Sequence, residues 1–402
     1  MRGSLLHSNR LQLLLALISS AWYYSATSVL ILYLTDALGL PAALAGAILL
    51  SSIVSARVIR FVGMPLLGGL PPNIVILCCH AAATLAYAGL IIVRSTLVVA
   101  FLLAIVELSY GTLIVTIRAI LVNGRTTGLP GSVAYAAVQV ALNIGGMISP
   151  VAANHLFINL DQRAPFILSA CFAAAGVLVA SAARAARSEA LSAEALGSMV
   201  ANLFRRPQYS SILLISLVFG TFYSALYTWI PLIIAQRFNK PGHLGYIYMT
   251  YAAFSIVASL PSNYVLAKVE IGPALAVGLS YCLYSAGFLM VAILDNHYSL
   301  FSCAVAWSIA TGLFLPNLFG LIATEESSET RSSLFSINAL ALGVGQGLGS
   351  FLYAGAFSLF FHHLAIANAC IAVLLLATAF LTTKSLERSF ASSRGSSAGQ
   401  RR

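Results

Sequence analysis

Four ionisable side chains stand inside otherwise apolar runs: Arg57, Arg60, Glu107 and Arg118. A charge at the centre of a bilayer costs about 2.5–3.5 kcal/mol on insertion scales, so groups placed there face other protein groups and serve a purpose. Arg57 and Arg60 are three residues apart and share one helix face. The guanidinium fork matches carboxylate and phosphate with two parallel hydrogen bonds, so this face suits an anionic group. Glu107 stands roughly midway along its run. Paired with Arg57, it would offset the cost of both charges. It would take up a proton when that arginine is engaged elsewhere. The alternative is a fixed ion pair that only sets helix packing. Arg118 lies one to two turns from the end of its run, close enough to snorkel to the interface.

Aromatic side chains form a second set: Trp22, Tyr23, Tyr24, Tyr110, Tyr223, Tyr227, Trp229 and Trp307. Tyrosine offers an apolar face and a hydroxyl, which suits a ligand with rings or hydroxyl groups; packing and interface belts are the alternatives. Asn317 and Gln139 are polar within apolar runs. The run Gly343-Val344-Gly345-Gln346-Gly347-Leu348-Gly349 follows no strand and precedes no Lys-Ser/Thr pair, so it is no nucleotide loop. Small residues four apart let helices approach closely in lipid. The six cysteines lie in apolar segments without metal-ligand spacing, and no phosphate-binding motif exists. Neither a metal nor a cofactor is expected, and any energy input comes from a gradient.

The elements that must position these groups are helices in a membrane. Of 402 residues, 60% are hydrophobic and 8% charged, and the mean hydropathy is +0.93. So few charges do not cover a soluble protein of this size. A spanning helix needs roughly 20 mostly apolar residues. Such runs cover 11–34, 41–69, 73–93, 96–122, 131–157 and 164–184, then 210–236, 243–267, 271–294, 297–323, 331–360 and 364–384. The first is too long for a signal-peptide core and is read as a retained span. Between the sets, residues 185–209 carry Leu196, Met199, Val200, Leu203 and Phe204 at helical spacing, an amphipathic linker at the interface. The expected organisation is a six-helix half at 1–184, that linker, a second half at 210–384, and a disordered tail at 385–402.

The net charge of +10 follows topology rather than a nucleic-acid partner. With the N-terminus inside, fourteen Lys and Arg fall on the cytoplasmic side and four outside. That bias places both termini in the cytoplasm, as for a protein of a cytoplasmic (inner) membrane. An internal repeat runs through the chain. Tyr24-Ser25-Ala26 matches Tyr223-Ser224-Ala225, Gly111 matches Gly312, and Gly145 matches Gly345, at offsets of 199 to 201.

Several motifs carry a family resemblance. Asn143-Ile144-Gly145-Gly146-Met147-Ile148-Ser149-Pro150 resembles the Gly/Pro motif of the fifth helix in exporters of the major facilitator superfamily. Gly68-Gly69-Leu70 stands where that superfamily's signature loop begins, although Pro71-Pro72-Asn73 then replaces its charges. Gly312, Pro316, Arg331 and the glycines from Gly343 resemble the tenth and eleventh helices, and Glu107 stands where drug antiporters carry an arginine. The resemblance implies an all-α fold of twelve transmembrane helices in two pseudo-symmetric halves. It also implies that helices one, four, seven and ten line a central cavity, and that Gly68, Asn143, Gly145, Pro150 and Arg331 serve gating or packing. Arg331 is placed to pair with Glu325, Glu326 or Glu329. The expected activity is secondary active transport by a monomer: proton-coupled efflux of a small polar or anionic molecule, such as a metabolite, a siderophore-like compound or a drug. Import of an organic anion and a non-transporting sensor remain alternatives. An enzyme is not expected, because the interfacial acids are scattered.

Overall fold

In hydrocarbon every backbone N–H and C=O must find a partner within the chain, which leaves apolar runs of this length one solution, the α-helix. The computed structural model describes residues 2–67, 70–122, 131–182, 207–259, 272–294, 296–323 and 328–399, and every element among them is helical. The first half comprises α1 (Arg2–Thr27, with Leu30–Leu32 and a π-turn at Tyr33–Ala37), α2 (Ala42–Leu67), α3 (Pro72–Ile92), α4 (Thr96–Val122), α5 (Gly131–Asn159) and α6 (Ala164–Ser181). The second comprises α7 (Pro207–Tyr223, with Ser224–Leu226, Trp229–Leu232 and a π-turn at Ile233–Arg237), α8 (Leu244–Ser259), α9 (Pro273–Ile293), α10 (Ser299–Ala323), α11 (Ser328–Phe360) and α12 (Leu364–Gly399).

Ten described stretches are long and apolar enough to cross a bilayer. The last, Leu334–Leu386, holds both α11 and α12, parted by the tight turn Phe361–His363. The 16 described residues of α8 fall just short of spanning length. The twelve helices therefore agree with the twelve runs of the sequence. Leu85, Ile92, Leu97, Ile293 and Leu359 are all more than 70% exposed on the outer surface, which water would penalise and lipid accepts. Prolines at the first turns of α3, α6 and α9 start those helices, where the missing N–H costs nothing.

Two expectations need adjustment. The last helix continues to Gly399 where a disordered tail from 385 was expected; no proline interrupts it, and Leu386 is buried. The amphipathic linker falls largely on 183–206, outside the described residues, as does Gly68.

The repeat is visible in the backbone itself. Both α1 and α7 break, at Ser28 and Thr228, and then widen into π-turns that start at Tyr33 and Ile233. Gly145 on α5 lies against the backbone of Leu17 and Ala21, and Gly345 on α11 lies against that of Leu217 and Thr221. A side chain at either glycine would collide with main chain, so each lets its helix close on the first helix of its own half. On α11, Gly343 and Gly347 face α2 while Gly345 and Gly349 face α7, two close-packing faces on one helix. The halves meet along two seams, α2 against α11 and α5 against α8.

Candidate functional site

The acidic centre lies where α1, α2 and α4 converge. Arg57 Nη2 donates to Glu107 Oε2 at 3.2 Å, and the Tyr23 hydroxyl donates to Glu107 Oε1 at 2.7 Å. Each carboxylate oxygen thus holds a strong donor, the arrangement that keeps a buried carboxylate tolerable. Glu107, Arg57 and Arg60 are 6%, 8% and 6% exposed. Gly111, one turn beyond Glu107, makes the room: a Cβ there would collide with Nη1 of both arginines. Gly343 does the same from the other half, since a Cβ would collide with Arg57 Cγ, Cδ and Nε. The Arg57 side chain therefore crosses the α2–α11 seam. Its Nε has no partner, and among the described residues Arg60 makes no hydrogen bond and has no carboxylate within 4.0 Å.

From this centre a file of tyrosines crosses between the halves. Tyr23 stacks flat on Tyr110, with ring centroids 3.8 Å apart and planes 3° apart. Tyr24 meets Tyr23 edge-on and stacks across the seam on Tyr227 at 5.8 Å. The Tyr227 and Tyr223 hydroxyls lie 3.3 Å apart, and Tyr223 adjoins Tyr251. Tyr251 donates to Thr311 Oγ1 at 2.8 Å; Tyr284 reaches the same oxygen, and its own carbonyl accepts from Trp307 Nε1. Tyr24, Tyr110, Tyr223 and Tyr227 are each half-buried, whereas Tyr23 is buried and holds the carboxylate behind them. Tyr248 on α8 aims its hydroxyl at both helix breaks, 3.0 Å from Leu226 O and 3.3 Å from Ser28 O. Only one proton is available to those two carbonyls, and it ties the broken points of α1 and α7 together.

Residues 131–323 match the sequence model of the Major Facilitator Superfamily, about half the chain. The solved structure of the nucleoside transporter NupG, in a mutant form, superposes with a TM-score of 0.73 over 95% of this chain and 99% of its own, at 14% identity. The peptide transporter POT in complex with alafosfalin gives 0.71 over 94% and 95%, at 13% identity. The human organic anion transporter MFSD10 (TETRAN) gives 0.66 over 94% and 98%, at 16% identity. The chain has the major facilitator superfamily fold. No curated protein matches the sequence.

Within this fold, the sequence-derived candidates separate into groups. Arg57, Arg60, Glu107, Tyr24, Tyr110, Tyr223 and Tyr227 gather in the one constellation described above. Asn317 stays outside it: its amide donates to Leu313 O of its own helix at 2.7 Å. Arg331 lies in the first turn of α11, and its side chain is outside the described residues. Pro150 lies inside α5 next to the α8 seam, where its carbonyl and Val151 meet Gly245.

Arg118 corrects an expectation. Rather than snorkelling, it turns inward and its Nη2 donates to Gln139 Oε1 at 3.3 Å. Gln139 Nε2 reaches Asn143 Oδ1 at 3.5 Å, and Asn143 Nδ2 donates to Ser255 Oγ at 3.3 Å on α8. This file crosses the second seam, so the exporter-like motif residue Asn143 is an inter-half contact. Two residues escaped the sequence reading. Tyr23 was one aromatic among eight, and only its hydrogen bond to Glu107 sets it apart. The other is His80, whose place inside the apolar run 73–93 is the signal that could have found it.

Proposed function

We propose that the chain is a secondary transporter that moves a small anionic molecule across a cytoplasmic membrane by alternating access, driven by protons. The observation that carries this reading is Arg60: a buried guanidinium with no acidic partner among the described residues, beside Arg57, which already has one. Buried charges persist when paired, so the unmatched positive charge calls for an anion from outside the chain. Substrate binding at Arg60 and Arg57 would loosen Arg57 from Glu107, and the freed carboxylate would then take a proton. The two events are thereby linked, which is the requirement for coupling. The half-buried tyrosine rings beside the arginines favour a substrate with a ring or hydroxyl groups. The seams supply the moving parts, because Arg57, Tyr24 and Asn143 each touch the opposite half.

The fourteen-to-four distribution of Lys and Arg supports cytoplasmic termini, and the Asn143–Pro150 motif supports export. Each half buries its faces against the other, which supports a monomer. The test compares medium and cytoplasm by untargeted mass spectrometry in cells lacking the protein and cells expressing it. An anionic compound that is lost from the medium and retained inside without the protein is the expected result. Arg60→Ala and Glu107→Gln should reproduce that loss while inserting normally. A compound that instead fails to enter the cells would reverse the direction to import; no change in any anion would overturn the reading.

A further inference from the structure

A second polar site lies one aromatic layer behind Glu107, inside the first half. Trp22 packs edge-on against Tyr110 at 5.6 Å, and on its other sides against Tyr87 at 5.8 Å and His80 at 6.2 Å. His80 and Tyr87 are seven residues apart on α3 and share a face towards α6. His80 rests on Gly176, where a Cβ would collide with the imidazole. Tyr87 lies beside Ser169, seven residues before that glycine.

All four side chains are fully buried, at 0% exposure. Yet the Trp22 indole N–H, both imidazole nitrogens of His80, the Tyr87 hydroxyl and Ser169 Oγ make no hydrogen bond to the protein. Tyr87 and Ser169 are neighbours and still close no bond of good geometry. Leaving a buried polar atom unpaired costs about 1–3 kcal/mol, and five in one layer exceed what a marginally stable fold bears.

The second half shows that this is not how buried polar groups are treated elsewhere in the chain. There Trp229 Nε1 donates to Asn368 Oδ1 at 2.9 Å, Trp307 Nε1 to Tyr284 O at 3.0 Å, Tyr281 to Ile215 O at 2.8 Å and Ser285 to Ala372 O at 2.9 Å. The unpartnered set mixes donors and acceptors, since Trp22 only donates and neutral His80 does one of each. An apolar molecule satisfies neither, and no group of three metal-ligating side chains exists among the described residues. Water supplies two donors and two acceptors and typically makes about three bonds when buried.

We propose that Trp22, His80, Tyr87 and Ser169 form a buried water-binding site between α1, α3 and α6. Water held there accepts from the Trp22 indole and hydrogen-bonds the His80 nitrogens and the Tyr87 and Ser169 hydroxyls, and five such atoms call for more than one molecule. The site keeps the layer behind the carboxylate polar while the helices stay closely packed.

Hydroxyl-radical footprinting of the purified full-length protein tests this, because radicals born on a bound water label side chains that bulk solvent does not reach. Trp22 and Tyr87 should be modified several-fold faster than Trp229 and Trp307, which are buried to the same degree with their N–H groups satisfied. Ser169→Ala adds no bulk and should slow labelling of Tyr87; His80→Leu should slow labelling of Trp22. Trp22 as slow as Trp229 and Trp307 would overturn the site. So would labelling that both variants leave unchanged, since the radicals would then come from the central cavity.

Discussion

The two halves share a backbone and differ in chemistry, position by position. At the offset of 201 that relates Gly111 to Gly312, Glu107 corresponds to Ser308 and Arg118 to Phe319; at the offset of 200 that relates Gly145 to Gly345, Arg57 corresponds to Val257 and His80 to Ser280. Every buried charged side chain among the described residues belongs to the first half. So does every buried polar side-chain atom without a partner, except one, among the described residues. The second half fills the same layers with aromatic rings and hydroxyls that bond each other or the backbone. An unsatisfied group is tolerated where something else completes it, so under the proposed function ligand, proton and water all fall to the first half. The second half has its buried polar groups paired, and Arg57 and Tyr24 pack against it. Uneven polarity on an even scaffold separates what moves from what reacts.

The largest expected effect comes from breaking the charged centre. Arg57→Ala strands Glu107, and removing one partner of a buried pair costs about 3–5 kcal/mol. Transport should fall to background and the unfolding temperature should drop clearly. Glu107→Gln keeps acceptor and donor atoms beside Tyr23 and Arg57, so it should abolish coupling with a smaller stability loss. In the second half, Trp307→Phe removes the bond to Tyr284 O, a loss of about 1 kcal/mol for a neutral hydrogen bond. Transport should persist. Paired assays of transport and thermal unfolding would break the comparison if Trp307→Phe proved as damaging as Arg57→Ala.

Glycine substitutions sharpen it at the next scale down. Gly145→Ala and Gly345→Ala both drive a methyl into a neighbouring backbone, and overpacking of this kind costs about 1–3 kcal/mol. Equal losses of unfolding temperature are expected, because the scaffold is repeated. Gly111→Ala meets only the tips of Arg57 and Arg60, which can swing away. It should leave stability near that of the parent while transport collapses. Gly312→Ala, its repeat partner, meets Ala258 and the Ser259 backbone and should instead cost stability. A Gly111→Ala protein that transports normally would detach the two arginines from the substrate.

How far all this was legible depended on the physics behind each signal. Spans were legible because hydrocarbon admits one backbone solution, and runs such as 96–122 match their helices within a residue or two. Arg57 and Glu107 were legible because a charge at that depth has few places to go. The direction of Arg118 was not: snorkelling and an inward bond to Gln139 cost similar amounts, and only the position of α5 decides between them. Nor was the task of Tyr23 legible, since one residue of rotation separates half-buried Tyr24 from the tyrosine that grips a carboxylate. Helix faces in a uniformly apolar sequence carry little contrast, and that contrast is what periodicity arguments need.

The smallest expected effect concerns the second half's exception. Among the described residues its one unpartnered buried side-chain atom is His243 Nδ1, in the turn Pro241–His243 between α7 and α8. Burial, then the neighbouring His297 ring at 5.0 Å, then Lys240 hold this imidazole below its ordinary value. The unfolded chain takes up the proton near about pH 6.5, while the folded chain still refuses it. Over that interval the unfolded state binds more protons, so stability falls as pH drops through the ordinary histidine value and levels off once folded His243 is also protonated. Asn154 donates to the carbonyls of Pro241 and Gly242 in the same turn, so a strained turn loosens the α5–α8 seam at that end. The unfolding temperature of the parent should therefore fall between about pH 7.5 and 5.5, and His243→Gln should recover about 1 °C of that fall. An identical pH slope in parent and variant would remove His243 from the chain's response to acid.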